Sequence, residues 1–151
     1  MRVAFVGGGK LGFPIALASA TKHDVVVYDV APTIAEILRT RIYPHREIGV
    51  DALLSSTTLH LVDDVKAAIA HAELVIVAVQ TPHGAEYEGI TRMPKTRSDF
   101  DYTSLKIAIS QVCEAAKNQR KCLSLAVIST VLPGTSEREL YPLLNRYTRY
   151  A

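Results

Sequence analysis

The residues of this chain with the clearest chemical meaning are three glycines, which occur with the spacing Gly7-x-Gly9-x-x-Gly12. In this pattern the first glycine permits a tight turn, the second lets the backbone approach a pyrophosphate, and the third lets a helix pack closely on a strand. Lys10 and Leu11 lie within the same turn. Because helix N-termini bind anions, the pattern predicts a phosphate-binding turn, provided that a strand precedes it and a helix follows.

An acidic residue follows the glycines at an informative distance. Asp29 lies 22 residues after Gly7, close to the offset of about 20 residues at which an acid binds the ribose hydroxyls of a dinucleotide. Its charge would repel a 2′-phosphate, and no basic residue lies between Asp29 and Arg39. We therefore predict NAD rather than NADP as the cofactor. The alternative is a glycine turn without a ligand, followed by an ordinary acid at the end of a strand.

The elements that must position these residues alternate along the chain. Apolar runs predict strands at residues 2–6, 25–29, 59–62, 74–79 and 123–129. Amphipathic stretches predict helices at residues 11–22, 32–41, 64–71, 102–117 and 136–146. Asp63 or Asp64 is expected to cap the third helix and Asp101 the fourth. Runs that are almost wholly apolar, as these are, are typical of strands covered on both faces. The pattern predicts an α/β fold with a doubly wound parallel sheet, a Rossmann fold in a single domain over residues 1–151.

Three later parts of the chain resemble one family when taken together. Residues 47–54 read E-I-G-V-D-A-L-L, residues 77–82 read V-A-V-Q-T-P and are followed by D-Y-T-S-L at 101–105, and residues 129–135 read S-T-V-L-P-G-T. They are similar to the E-P-G-L-x-x-L-L, V-x-T-P, D-L-S-Y-L and S-T-V-P-P-G-T segments of the UDP-glucose/GDP-mannose dehydrogenases. The family's G-Y-V-G is replaced here by G-K-L-G at residues 9–12, so that Lys10 either reaches a phosphate or points into solvent.

The resemblance implies an NAD-binding domain of an enzyme that oxidises the C6 hydroxyl of a nucleotide-activated hexose to a carboxylate. It implies that Val79, Thr81 and Pro82 contact the cofactor after the fourth strand. It also implies that Ser129 and Thr130 do so after the fifth, with Thr130 near the reacting carbon, where it helps to order the water used in the second oxidation. The alternative for both threonines is a hydroxyl that satisfies nearby backbone at a turn.

The family's catalytic cysteine, its lysine and asparagine helpers and most of its sugar site belong to segments that follow this domain. Cys113 and Cys122 match none of those motifs, and we expect both to be buried structural thiols. The resemblance therefore implies that a nucleotide-sugar substrate binds only with a second domain, and that this chain alone is catalytically incomplete. The sugar nucleotide itself is not indicated.

Composition excludes several other classes. Seventeen Lys and Arg against fifteen Asp and Glu give a net charge of +2, too small to predict a nucleic-acid partner. No apolar stretch reaches the roughly 20 residues that span a bilayer, and the first residues are too short and glycine-rich for a signal peptide. We expect a cytoplasmic protein without a membrane partner. The five histidines are spread singly, so we expect no metal site.

Two alternative functions stay open. One is a stand-alone dinucleotide-binding module without catalysis, which the missing catalytic residues support. The other is a domain of a β-hydroxyacid or 6-phosphogluconate-type dehydrogenase, against which the segments at 47–54 and 129–135 argue. Oligomeric state is open as well, with a homo-oligomer as one option. The long charged connection at residues 83–100 is expected to be a mobile surface loop, with substrate or partner contact as the alternative.

Overall fold

A computed structural model describes residues 1–87, 92 and 94–147 of the chain. Within those residues five strands form one parallel sheet in the order β3-β2-β1-β4-β5. They are β1 (Arg2–Val6), β2 (Asp24–Tyr28), β3 (His60–Leu61), β4 (Leu74–Val77) and β5 (Ser124–Val127). The order reverses between β1 and β4, which confirms the predicted doubly wound sheet.

Helices cover the sheet on both sides. They are α1 (Gly12–Ala20), α2 (Thr33–Thr40), α3 (Val50–Ser56), α4 (Val65–His71), α5 (Thr103–Asn118) and α6 (Tyr141–Leu144). A turn of 3₁₀-helix at Ala85–Tyr87 and a π-helical turn at Ser136–Leu140 complete the elements of the described residues. None of these helices is long and apolar enough to cross a membrane.

The two faces of β1 belong to two separate hydrophobic cores, because successive side chains of a strand point in opposite directions. Val3 and Phe5 pack with residues of α1, α2 and α3. Ala4 and Val6 pack with residues of α4 and α5 on the other side. Phe5 and Ala4 are fully buried. The apolar side chains of β1 are therefore buried on both faces of the sheet, as the apolar sequence of this strand predicted.

The edges of the sheet depart from that expectation. Both residues of β3 are exposed, and the residues of β5 are half-buried or exposed. An edge strand has a neighbour on one side only and is less covered by helices. β4 and β5 are also shorter than predicted, since the last ladder bonds run from the Ala78 N–H to the Val6 oxygen and from the Ile128 N–H to the Val77 oxygen. Val79 and Ser129 thus lie beyond the strands.

Helix ends follow local side-chain chemistry. The Ala67 N–H donates to the Asp64 carboxylate at 2.7 Å, which confirms Asp64 as the N-cap of α4. Asp101 lies one residue further out than predicted, because Tyr102 precedes α5, but its carboxylate still accepts the Thr103 N–H at 2.8 Å.

Two helices differ from the sequence pattern. α3 was not predicted: it is short, and unlike α4, which Asp64 caps, it begins after Gly49 without a side-chain cap that the sequence would indicate. The predicted helix at 136–146 is divided into the π-helical turn and the short α6. Pro142 in α6 has no N–H to donate to the preceding turn, which explains the break.

The described residues of the connection between β4 and α5 are irregular apart from Ala85–Tyr87, and the mobility of this loop stays a prediction. Part of that prediction falls on residues 88–91 and 93, which lie outside the described residues. The predicted end of the domain falls on residues 148–151, which also lie outside them.

Candidate dinucleotide site

A cleft of about 450 Å³ opens at the carboxyl ends of β1, β2 and β4. Its walls are residues 7–10, 28–31, 43–45, 78–80 and one side of α5. This is the point where the strand order reverses, the place where ligands bind in open α/β sheets. Five of the predicted cofactor residues line it: Gly7, Gly9, Lys10, Asp29 and Val79.

The glycine turn is shaped by close backbone contacts. Gly7 has a φ of +102°, and a Cβ there would lie 2.5 Å from the Ala78 oxygen. A Cβ on Gly12 would collide with the Gly7 oxygen, and Gly12 lies at the start of α1. Gly9 differs, since an added Cβ would meet nothing within 4 Å. The first and third glycines are therefore required by packing, and the open space at the second is the room that a phosphate would need.

Asp29 contacts the glycine turn directly. Its Oδ2 accepts the Gly8 N–H at 2.5 Å, and its Oδ1 accepts the Ala31 N–H at 2.8 Å. The bond from Gly8 holds the segment after β2 against the turn after β1, and the bond from Ala31 orients the carboxylate locally. Gly8 was not predicted as a site residue, because the spacing motif assigns no role to that position. Each carboxylate oxygen keeps a second lone pair with which it can accept another hydrogen bond.

A tyrosine after α2 forms a wall of the cleft that the sequence did not predict. Tyr43 stacks on Phe13 of α1 with ring centroids 5.4 Å apart, and its hydroxyl donates to the Lys10 oxygen at 3.4 Å. The His45 ring meets it edge-on. Burial raises the pKa of the Tyr43 hydroxyl, and the nearby Glu47 charge raises it further. The hydroxyl therefore stays protonated and holds this wall to the glycine turn.

The opposite wall is a mixed polar and apolar stripe on α5. Ser104, Ile107, Ala108 and Gln111 line the cleft and lie on one side of the helix. The Ile107 side chain is 53 % exposed, although the neighbouring Ala108 and Ile109 are buried. The spacing of this stripe was visible in the sequence, but the core-facing residues of α5 gave the stronger helical signal.

A second cluster follows β4 and β5, beside the cleft. The Ser129 hydroxyl donates to the Val79 oxygen at 2.7 Å, and the Thr81 hydroxyl donates to the Thr130 oxygen at 2.7 Å. The structure thus brings together four of the predicted residues from the segments that follow two neighbouring strands. The Thr81 hydroxyl satisfies backbone here, as the alternative interpretation of the threonines expects.

The remaining predicted residues lie around these two groups. Leu11 is 50 % exposed at the N-terminus of α1, outside the lining of the cleft. Pro82 is exposed, and its oxygen accepts the Asp101 N–H at 2.7 Å, which ties the segment after β4 to the start of α5. Which of these residues contact a cofactor stays a prediction.

The two cysteines differ from each other. Cys113 is half-buried in α5 beside the core, and burial raises the pKa of its thiol. Cys122 is exposed just before β5. The prediction that both are buried is wrong for Cys122, because it lies in the turn that enters an edge strand. In the part of the chain that the structure describes, no three His, Cys, Asp or Glu side chains are placed to hold a metal ion.

Curated proteins that resemble this chain include nucleotide-sugar dehydrogenases. Over 149 residues the chain is 27 % identical to GDP-mannose 6-dehydrogenase of Pseudomonas aeruginosa, an alignment that covers 95 % of this chain and 32 % of the relative. It is 27 % identical over 142 residues to UDP-glucose 6-dehydrogenase of Rhizobium meliloti, covering 91 % and 30 %. The chain thus spans about a third of the length of these curated relatives.

Solved structures of GDP-mannose and UDP-glucose dehydrogenases resemble this chain as well. A ternary complex of GDP-mannose dehydrogenase from Pseudomonas aeruginosa superposes with a TM-score of 0.81 at 25 % identity, covering 99 % of this chain and 33 % of that one. A UDP-glucose dehydrogenase from Pyrobaculum islandicum gives 0.77 at 26 % identity, covering 97 % and 33 %. The family model for the NAD binding domain of UDP-glucose/GDP-mannose dehydrogenases matches residues 1–150. The predictions of family and cofactor are therefore confirmed, and the chain belongs to the UDP-glucose/GDP-mannose dehydrogenase family as its NAD-binding domain.

Proposed function

We propose that the chain binds NAD in the cleft and serves as the cofactor-binding part of a nucleotide-sugar 6-dehydrogenase, which oxidises a hexose C6 hydroxyl to a carboxylate. The observation that carries the proposal is the contact between Asp29 and the glycine turn. This contact at the reversal point of the sheet supports a role for Asp29 at the ribose and for the backbone of the glycine turn at the phosphates.

The residues present fit a dinucleotide. The open space at Gly9 and the N-terminus of α1 would hold the pyrophosphate. The free lone pairs of Asp29 would accept the ribose hydroxyls. Tyr43 and the α5 stripe would enclose the adenine between partly apolar walls. Lys10 lies in the lining as well, where its amine can reach a phosphate.

The cluster after β4 and β5 would receive the nicotinamide end. NAD supplies the hydride acceptor of the reaction when it is bound. We propose that Val79, Thr81 and Pro82 bound this half on one side, with Ser129 and Thr130 on the other. In this proposal Thr130 lies near the reacting carbon and helps to order the water of the second oxidation.

The thiol that the second oxidation of this family requires must come from elsewhere. Cys122 precedes β5 and therefore lies at the amino end of the sheet, opposite the cleft. Cys113 packs beside the core of α4 and α5. We therefore expect the nucleotide sugar to bind only with a second domain, as the length of the relatives supports. A cytoplasmic location and a homo-oligomeric state stay predictions.

Calorimetry with NAD and NADP tests the cofactor site. We expect the chain to bind NAD and to bind NADP at least tenfold more weakly, a difference of about 1.4 kcal/mol, because the Asp29 carboxylate repels a 2′-phosphate. Asp29→Asn should weaken NAD binding, because the amide group donates hydrogen bonds where the carboxylate accepts them. It should also reduce the difference in affinity between NAD and NADP, because the amide is neutral. A chain that binds neither cofactor at millimolar concentration would contradict the proposal.

A second measurement separates a partial enzyme from a complete one. UDP-glucose or GDP-mannose is added to the NAD-loaded chain, and NADH absorbance is followed. We expect no NADH from this chain alone, and turnover when the full-length protein of a gene encoding this domain is used. Steady NADH formation by the 151-residue chain would contradict the proposal that this chain alone is catalytically incomplete. A full-length protein without turnover on any sugar nucleotide would favour the binding module.

A further inference from the structure

Tyr102 is a buried tyrosine whose hydroxyl is fully bonded. It directly precedes α5 and is 6 % exposed. The hydroxyl donates to the Asp99 Oδ1 at 2.5 Å, and it accepts the Leu132 N–H at 3.1 Å and the Thr135 hydroxyl at 3.2 Å. One proton and two lone pairs are all that a phenol offers. Two of these hydrogen bonds join Tyr102 to the turn after β5, and the third joins it to Asp99 in the connection before α5.

The turn that Tyr102 holds is the one that carries Thr130. Residues 129–135 follow β5, and within them the Thr130 oxygen accepts the Thr81 hydroxyl. The segment after β4 is tied to the start of α5 by the Asp101 N–H, which donates to the Pro82 oxygen. The two segments of the second cluster thus meet at Thr81 and are both anchored beside Tyr102.

The charge of Asp99 strengthens its hydrogen bond with Tyr102. The Asp99 carboxylate also accepts the Phe100 N–H at 2.8 Å and lies 3.4 Å from the Arg138 guanidinium. The hydrogen bond from Tyr102, then the Phe100 N–H and the Arg138 charge, hold the pKa of Asp99 below its ordinary value. The carboxylate is therefore ionised near neutral pH, and hydrogen bonds to an ionised acceptor are stronger than neutral ones.

We propose that Tyr102 is a positioning residue for the nicotinamide half of the site: by clamping residues 129–135 against the start of α5 it fixes Thr130 opposite Thr81. The inference rests on the proposed NAD site. Among the described residues the lining of the 450 Å³ cleft, which would take the adenosine half, does not include Tyr102. The two halves of the cofactor should therefore respond differently to its loss.

The test compares NAD with ADP-ribose, which lacks the nicotinamide ring. Calorimetry is carried out on the wild-type chain and on Tyr102→Phe, which removes the hydroxyl and keeps the ring. We expect Tyr102→Phe to bind ADP-ribose within about twofold of the wild type and NAD about fivefold to tenfold more weakly. The reason is that a looser turn must be ordered when the nicotinamide end binds.

Two further variants are compared with Tyr102→Phe. Tyr141→Phe is the matched control, because Tyr141 is 55 % exposed in α6, and it should leave both affinities unchanged. Asp99→Asn keeps Tyr102 but removes the charge of its acceptor, so it should weaken NAD binding in the same direction by a smaller factor. Amide hydrogen exchange on Tyr102→Phe without ligand should be faster at Leu132, whatever its effect on binding.

Each outcome is decisive. Equal loss of NAD and ADP-ribose affinity, or no loss of either, overturns the positioning role while leaving the NAD site intact. Unchanged exchange at Leu132 overturns the clamp itself. A wild-type chain that binds neither ligand overturns the proposed function, and the inference with it. If Tyr102→Phe does not fold, Asp99→Asn with the same ligand pair decides the matter.

Discussion

Gly9 and Gly12 differ in what surrounds them, although the sequence presents them as two positions of one motif. A Cβ at Gly12 would collide with the Gly7 oxygen, whereas a Cβ at Gly9 would meet no atom within 4 Å. Gly9 also does not have a positive φ, so alanine can adopt its backbone conformation. Gly12 is therefore constrained by the fold, and Gly9 by what the fold binds.

This difference predicts opposite effects of two small substitutions. Gly12→Ala should lower the free energy of unfolding by about 1–3 kcal/mol, the usual cost of overpacking. Gly9→Ala should unfold like the wild type but bind NAD at least tenfold more weakly, about 1.4 kcal/mol, because its methyl group occupies the approach of the phosphates. Urea titration and calorimetry on both variants check this. A destabilised Gly9→Ala variant with normal NAD affinity would contradict it.

Asp99 offers a pH-dependent test at the same scale. Its pKa is held below the ordinary value, chiefly by the Tyr102 hydroxyl. A depressed folded-state pKa means that its contribution to stability is present above the unfolded pKa and is lost as pH falls through the folded one, below about pH 4. In Tyr102→Phe the pKa of Asp99 should rise toward the ordinary value. Carbon-detected NMR titration of the carboxyl groups measures it.

Asp101 is the internal control for that titration. Its pKa is also lowered, but by hydrogen bonds from the Thr103 side chain and backbone. It should titrate alike in the wild type and in Tyr102→Phe. A shift of both carboxyl groups would show that the substitution disturbs the start of α5 as a whole, and no shift of Asp99 would show that Tyr102 is not its main partner.

At the scale of elements, the end of α4 depends on a residue from a distant part of the chain. The Lys121 amine donates to the Ile69 and Ala70 oxygens, both at 2.7 Å. Carbonyl groups in the last turn of a helix have no partner within the helix, and a cation there also interacts favourably with the helix dipole. Lys121 therefore joins the turn before β5 to α4.

Lys121→Met should lower the free energy of unfolding by about 1 kcal/mol, the contribution of a typical hydrogen bond, which corresponds to about 2–4 °C in Tm for a chain of this size. Lys117→Met is the matched control, because Lys117 is exposed in the last turn of α5. It should stay within about 0.5 kcal/mol of the wild type. Equal losses in the two variants would contradict the role of Lys121.

Some boundaries of helices and strands can be predicted from the local sequence, and others cannot. The cap of α4 was predictable, because Asp64 bonds an N–H three residues away. The lengths of β4 and β5 were not, because they depend on where the neighbouring strand stops pairing. The predicted strands continue to Val79 and Ser129, but the last ladder bonds are made by Ala78 and Ile128.

At the scale of the whole molecule, the cleft is built from both halves of the sheet. β1 and β2 contribute the glycine turn and Asp29, and β4 and α5 contribute the facing wall. A ligand that binds only the folded state stabilises it by mass action. Because its site includes both halves, NAD should stabilise the domain as one cooperative unit.

We therefore expect NAD at one hundred times its Kd to raise the free energy of unfolding by about 2.7 kcal/mol. Differential scanning calorimetry across a series of NAD concentrations measures the rise in Tm, and Gly9→Ala is the control that should require much more NAD for the same rise. A single transition is expected at every concentration. Two transitions, only one of which moves with NAD, would show that the halves unfold separately.

The sequence by itself determined the fold class, the glycine turn, the offset of Asp29 and the family. These follow from short-range rules, since a glycine pattern, a strand–helix alternation and a cap act over a few residues at a time. It also indicated that Thr81 and Thr130 come together, because the ends of neighbouring parallel strands share one edge of the sheet.

Only the tertiary structure decided which side chains complete the site. The Tyr43 hydroxyl meets a backbone oxygen 33 residues away, and Leu132 meets the Tyr102 hydroxyl across 30 residues. Such pairs depend on the path of the whole chain and on how α5 and the turn after β5 pack. They therefore leave no local pattern in the amino-acid sequence. Burial also depends on the tertiary structure, in which Cys113 is half-buried and Cys122 is exposed.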